Sequence, residues 1–244
     1  MTTRQLGMLY IYETPAEAAK SLADLIVEYG ASAIEGRGRF VISLAGGSTP
    51  KAAYALLAQA PYCNAIDWSA VEILFGDERC VPPDNAQSNY KMAYDTFIGP
   101  LEIPDQHVHR MRGEDDPQRA ALDYRAVLVD VLGEEPSFDL VMLGLGPDGH
   151  TASLFPGQNP LTEDEQRVRA VYSESQSQWR ITLTPSVLNS AEAVCFAVVG
   201  AEKAAILAAV REGPYDPTKY PAQIIAPPDG ELIWLIDKAA AAKS

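Results

Sequence analysis

An acid and an imidazole stand two positions apart in Gly144-Leu145-Gly146-Pro147-Asp148-Gly149-His150. Histidine has an ordinary pKa of ~6.5, so it can take up and return a proton near neutral pH. A carboxylate beside it can fix its tautomer and stabilise the imidazolium. Asp148 and His150 therefore suit general base work. Turns favour Asp and Gly for their own reasons, so the pair alone reads equally well as a capped turn with a polar histidine. Three further groups are candidates to join it. Ala45-Gly46-Gly47-Ser48-Thr49-Pro50 combines two flexible residues with two hydroxyls. Gly76-Asp77-Glu78-Arg79 gathers charge in one short run. Arg180 and Lys203 are isolated cations in a chain of net charge −14. No serine sits in a GxSxG elbow, so water is a better nucleophile than a side chain.

The elements around these groups give them a common place. Phe138 to Leu143 is a short apolar run, the mark of a strand buried on both faces. Arg39 to Leu44 and Val71 to Phe75 read as strands that feed the Gly-Gly-Ser-Thr turn and the Asp77 run. Open α/β sheets bind ligands beyond the carboxyl ends of their strands. The turn at Gly46–Thr49 opens a helix reaching about Gln59, with Pro50 expected as its first residue. Backbone N–H groups and the helix dipole then converge on one anion. The spacing is neither GxxxxGK[ST] nor GxGxxG, so a single phosphate group is implied and a nucleotide is not. A capped βα turn is the plainer reading.

Arg180 opens a strand reaching Leu183, and Lys203 lies in the first turn of a helix reaching about Arg211. A lysine there opposes the helix dipole unless an anion is present. Both also read as ordinary surface or strand-edge charges.

Elsewhere, Met8 to Tyr12, Val168 to Tyr172, Ala193 to Val199 and Glu231 to Ile236 read as strands. Thr14-Pro15-Ala16-Glu17 has the form of a capping box, opening a helix that Gly36 and Gly38 should break. Ser88 and Asp116-Pro117 start two more helices, the first reaching about Phe97 and the second Leu132. Thr184-Pro185 repeats the cap-plus-proline signal. His107 to Met111 reads as a short strand with His107 and His109 on one face, taken as structural because no acid or cysteine cluster accompanies them. Five prolines between Pro214 and Pro228 mark a loop-rich section, and the alanine-rich tail is expected to fray. Alternating strands and helices predict one domain over 1–244. Its architecture should be a three-layer α/β/α fold, with a mainly parallel Rossmann-like sheet and helices on both faces.

Hydrophobic residues make up 47% of the 244 positions, enough for a large core. No apolar run approaches the ~20 residues of a membrane helix, and the N-terminus has no signal-peptide pattern. The excess of 33 acids over 19 bases argues against nucleic-acid binding. Cys63, Cys80 and Cys195 are odd in number and lack CxxC spacing, which argues against disulfides or structural zinc and for the cytoplasm.

Four motifs in order, Leu44–Pro50, Phe75–Arg79, Gly144–Gly157 and Arg180–Thr184, resemble the 6-phosphogluconolactonase family over most of the chain. The third is the most specific. The wider superfamily includes glucosamine-6-phosphate deaminases and sugar-phosphate-sensing regulators. The resemblance implies cofactor-independent hydrolysis of 6-phospho-D-glucono-1,5-lactone in the pentose phosphate route. Separately, the His, Cys and acid spacings give no closed metal site, and the expected state is a monomer or small homo-oligomer. His150 would be the base and Asp148 its partner. Arg79 and Asp77 would line the reacting end. Gly46, Gly47, Ser48, Thr49, Arg180 and Lys203 would hold the phosphate, Lys203 on the loosest match. Gln158 follows Gly157 where many members have histidine, with no expected catalytic loss. A deaminase calls for an acidic residue in an Asn-Glu-Pro context just past the loop, and Leu154-Phe155-Pro156 offers none. A sensor calls for a DNA-binding region, for which the early first strand leaves no room.

Overall fold

The computed structural model describes residues 6–134, 137–158 and 166–243. Along the chain its strands and α-helices are β1 (Met8–Tyr12), α1 (Pro15–Arg37), β2 (Phe40–Leu44), α2 (Ser48–Leu57), β3 (Val71–Phe75), β4 (Asp77–Arg79), α3 (Asn89–Ala93), α4 (Pro117–Leu132), β5 (Leu140–Leu143), β6 (Val168–Ser173), β7 (Gln178–Leu183), α5 (Pro185–Leu188), β8 (Ala193–Val198), α6 (Ala204–Arg211) and β9 (Glu231–Asp237). Six strands form a parallel sheet in the order β1, β9, β8, β5, β2, β3.

Alternation along the buried strands makes the three layers. On β5, Leu140 and Met142 face a core shared with Leu22 and Ile26 of α1 and Tyr54 of α2. Val141 and Leu143 face the opposite core, shared with Tyr124 and Leu128 of α4 and Leu207 of α6. A strand buried on both faces has no polar side, which is why β2 and β5 are continuous apolar runs. The chain leaves β2 toward β3 on one side, whereas β5 leads to β8 on the other. The carboxyl ends of β2 and β5 therefore flank a topological switch point, where such sheets bind ligands.

A second sheet was not foreseen. β4, β7 and β6 form an antiparallel ladder apart from the main sheet. Gly76 is the pivot between the two: its N–H donates to Leu44 O of β2, and its carbonyl accepts from Leu183 N of β7. β6 and β7 are joined by a short turn at 174–177, which permits only antiparallel pairing.

Several local expectations need correction. Helix α1 has its capping box at Thr14 and Glu17, but it runs through Gly36 and ends at Gly38, whose φ of 76° closes the helix by donating to Ile34 O. A glycine inside a helix costs only about 1 kcal/mol, so Gly36 does not stop it. The helix begun by Ser88 widens after Ala93 into a π turn, Tyr94–Ile98, closed by Gly99 N donating to Tyr94 O. Thr184 makes no cap bond; its hydroxyl goes to Arg167 O. His107 to Met111 is not a strand. It begins in a 3-10 turn (Asp105–His107), and its backbone meets β3 at a bridge from Val108 to Ile73, where His109 N donates to Ile73 O. His107 and His109 both reach Glu72 of β3, at 3.3 and 2.7 Å, and so pin this segment over the sheet edge. The tail forms a 3-10 turn, Ala240–Lys243, tied down where Ala240 N donates to Asp237.

Candidate active site

A cavity of about 310 Å³ opens at the switch point. Gly46, Gly47, Ser48 and Thr49 line one wall. Tyr54, fully buried on α2, fastens the preceding residue through bonds to both Ala45 N and Ala45 O. Gly47 caps α2 with φ 106° and no side-chain bond, so the first backbone donors of the helix have no side-chain partner. Helix starts of this kind attract anions. Ser48 is the first helical residue and Pro50 the third, two places later than expected. Proline is tolerated there because the N–H it lacks would have no intrahelical acceptor.

Asp77 and Arg79 reach the cavity from β4, and Arg180 from β7. Arg79 and Arg180 are direct cross-strand partners. Side chains at opposed positions lie on one face with Cβ atoms ~5 Å apart. Arg79 donates to Gln87 O at 2.6 Å, and Arg180 to Gln176. The Nε atom of each is buried without a hydrogen-bond partner. Burial pushes the Arg180 guanidinium below its ordinary value, and the charge of Arg79 adds to this. Two cations side by side, Arg180 buried and Arg79 partly so, favour an anion beside them.

The Asp148–His150 loop forms the opposite wall. Gly146 N donates to His150 O, and Gly149 N to Gly146 O, folding the loop on itself. Asp148 Oδ1 lies 2.5 Å from His150 Nδ1 and also accepts from His150 N. Because a carboxylate can only accept, Nδ1 is the donor in that contact, and the neutral form of the ring carries its lone pair on Nε2. A Cβ on Gly146 would lie 2.1 Å from His150 Nδ1, so only glycine admits the imidazole. Burial pushes the Asp148 carboxyl up, but its bonds to His150 and the charge of the ring outweigh this and hold it below the ordinary value. Asp148 stands behind His150, whereas His150 itself lines the cavity. The proline-rich section braces the loop from outside, with Ala222 N donating to Gly149 O and Gly157 N to Thr218 O.

Lys203 completes the cavity from a 3-10 turn ahead of α6, donating from Nζ to Leu145 O at 2.8 Å. Asp237 steadies that turn by accepting from Gly200 N.

Sequence reasoning missed three side chains. Asn89 donates to the carboxylate and carbonyl of Asp77. Ser153 donates to the other carboxylate oxygen at 2.6 Å. Gln176 holds Arg180 from the β6–β7 turn. Ser88-Asn89 carried a cap signal only, and nothing local pairs position 89 with position 77. Among the described residues, no group of three His, Cys, Asp or Glu side chains is arranged to hold a metal ion.

The class comes first from the fold. A glucosamine-6-phosphate deaminase described as monomeric superposes with a TM-score of 0.83 at 20% identity, covering 97% of this chain and all of that one. The 6-phosphogluconolactonase of Trypanosoma cruzi superposes at 0.87 with 29% identity over 97% and 96% of the two chains. Sequence narrows it further. The model of the family described as glucosamine-6-phosphate isomerases/6-phosphogluconolactonase matches residues 13–234, and the chain belongs to that family of enzymes. A 6-phosphogluconolactonase of Synechocystis is 39% identical over 213 residues, covering 85% of this chain and 86% of that protein. One from Rattus norvegicus is 37% identical over 241 residues, covering 96% and 93%. No helix among the described residues is long and apolar enough to cross a membrane.

Proposed function

We propose that the protein hydrolyses 6-phospho-D-glucono-1,5-lactone to 6-phospho-D-gluconate, as a cytoplasmic enzyme of the pentose phosphate route. The observation that carries the mechanism is the 2.5 Å contact of Asp148 with His150 Nδ1 on the cavity wall, which directs the lone pair of the neutral ring to Nε2. His150 Nε2 takes a proton from water, and the hydroxide adds to C1 of the lactone. Asp148 stabilises the imidazolium. The oxyanion on C1 is met by Arg79 or a backbone N–H of the glycine-rich loop. Collapse breaks the bond from C1 to the ring oxygen, and the imidazolium returns its proton to that oxygen. The new carboxylic acid ionises, so each turnover releases one proton.

The phosphate is held by the Gly46–Thr49 turn, Arg180 and Lys203, while Asp77 lines the reacting end with Arg79. No metal or cofactor takes part. The superfamily alternative, a deaminase-isomerase, would use the same turn and loop, but Leu154-Phe155-Pro156 lacks its acidic residue. The test offers both substrates. Freshly prepared phosphogluconolactone should release protons faster than it does spontaneously, and glucosamine 6-phosphate should release no ammonia. Ammonia without accelerated proton release would refute the lactonase.

A further inference from the structure

Glu78 points away from the cavity, between Asp77 and Arg79, which line it. Its carboxylate is almost completely buried, at 2% exposure. Four donors converge on it. Oε1 accepts from Arg79 N at 2.8 Å and Asn89 N at 2.7 Å; Oε2 accepts from Tyr90 N at 2.8 Å and Ser88 Oγ at 2.9 Å. Burial pushes this carboxyl above its ordinary value, and the four donors oppose the shift. Donors on every side suit an acceptor-only carboxylate.

These bonds weld the start of α3 to β4, and Asn89 is the residue so placed. Its side chain donates to Asp77 Oδ1 at 3.2 Å and to Asp77 O at 2.9 Å. Its amide oxygen lies where a Cβ on Gly46 would come within 2.0 Å. Asn89 therefore touches both the phosphate turn and Asp77, and any shift of α3 is felt at both.

We infer that Glu78 is a positioning residue for the proposed lactonase reaction: it sets Asn89, and through Asn89 the Asp77 carboxylate and the Gly46 turn. The inference rests on the functional reading above. Glu78→Gln keeps the shape but replaces one oxygen with an NH2. Whichever way the amide turns, at least one backbone N–H then faces an N–H. Displacements of an ångström in a positioned site cost up to ~10²-fold in rate.

The experiment measures kcat, KM and thermal melting for the wild type, Glu78→Gln, Asn89→Ala and the double variant, on fresh phosphogluconolactone, well below the melting point. Glu78→Gln should lower kcat ~10- to 100-fold with a smaller change in KM. The double variant should be scarcely worse than the poorer single one, because both changes act through one contact. A Glu78→Gln protein that melts early but turns over at the native kcat would overturn the assignment, as would effects that simply multiply. Should Glu78→Gln fail to fold, Ser88→Ala takes its place in the same cycle, with the same coupling expected and multiplication again the refutation. A wild type without lactonase activity overturns the functional reading and this inference together; native activity with an unaffected variant overturns this inference alone.

Discussion

Removing Arg180 separates the two ends of the proposed site. Its guanidinium is buried, its Nε has no protein partner, and Arg79 faces it across the ladder. Hydrogen bonds to a charged group contribute ~1.5–3 kcal/mol net. At 1.36 kcal/mol per tenfold, their loss lowers kcat/KM for the phosphorylated lactone by ~10- to 150-fold. The lower end applies if Arg79, freed of a like charge, moves in to compensate. The rise should fall mainly on KM, although binding at a remote group also positions the reacting carbon, so kcat can fall with it. The assay is proton release from phosphogluconolactone and from unphosphorylated gluconolactone, for wild type and Arg180→Ala. The unphosphorylated substrate should be poor for the wild type and lose little more in the variant. Arg79→Ala should hurt both substrates alike if it meets the oxyanion. Equal losses on both lactones for Arg180→Ala would place Arg180 at the reacting carbon and refute the division of the site.

Other outcomes follow from the same geometry. Asp148→Asn should cost ~10²–10⁴ in kcat, the range spanned by base catalysis and triad orientation. The folded state holds Asp148 below its ordinary carboxylate value, so its contact with His150 stabilises above ~pH 3.9 and that contribution is lost as pH falls through the lowered value. Melting curves against pH should therefore show the wild type losing its advantage over Asp148→Asn in acid; a constant gap would refute this. Gly146→Ala should displace the His150 ring and suppress turnover while circular dichroism stays native, because the added Cβ meets the imidazole at 2.1 Å. A native kcat in that variant would show that the ring need not stand there. Dialysis against EDTA should leave the rate unchanged, and restoration by a divalent ion after its loss would contradict metal-free chemistry.

How much was legible in the sequence follows from how local each signal is. The Gly46–Thr49 turn, the Asp77–Arg79 run and the Asp148–His150 loop each sit at a strand end, and apolar runs followed by glycine mark such ends directly. The capping box at Thr14 and the helix start at Asp116 involve residues three apart, and both are present. What escaped depends on distant pairing. β4 is three residues long and finds its partner about a hundred positions later in β7, so no period in the sequence announces it. Without that ladder, Arg79 and Arg180 could not be known as neighbours. Asn89 and Ser153 escaped for the same reason: each meets Asp77 only after the chain has folded. His107 and His109 alternate as strand residues would, yet Glu72 holds them in a segment that merely covers the edge of β3.

The central claim is that His150 activates the water that opens the lactone. Its most direct test is kcat for His150→Ala on freshly prepared phosphogluconolactone, corrected for spontaneous hydrolysis, in a variant shown to be folded. Losing the base should lower kcat ~10²–10⁴-fold, with KM little changed because the phosphate contacts remain. A folded His150→Ala protein that turns over at the native rate would contradict the mechanism.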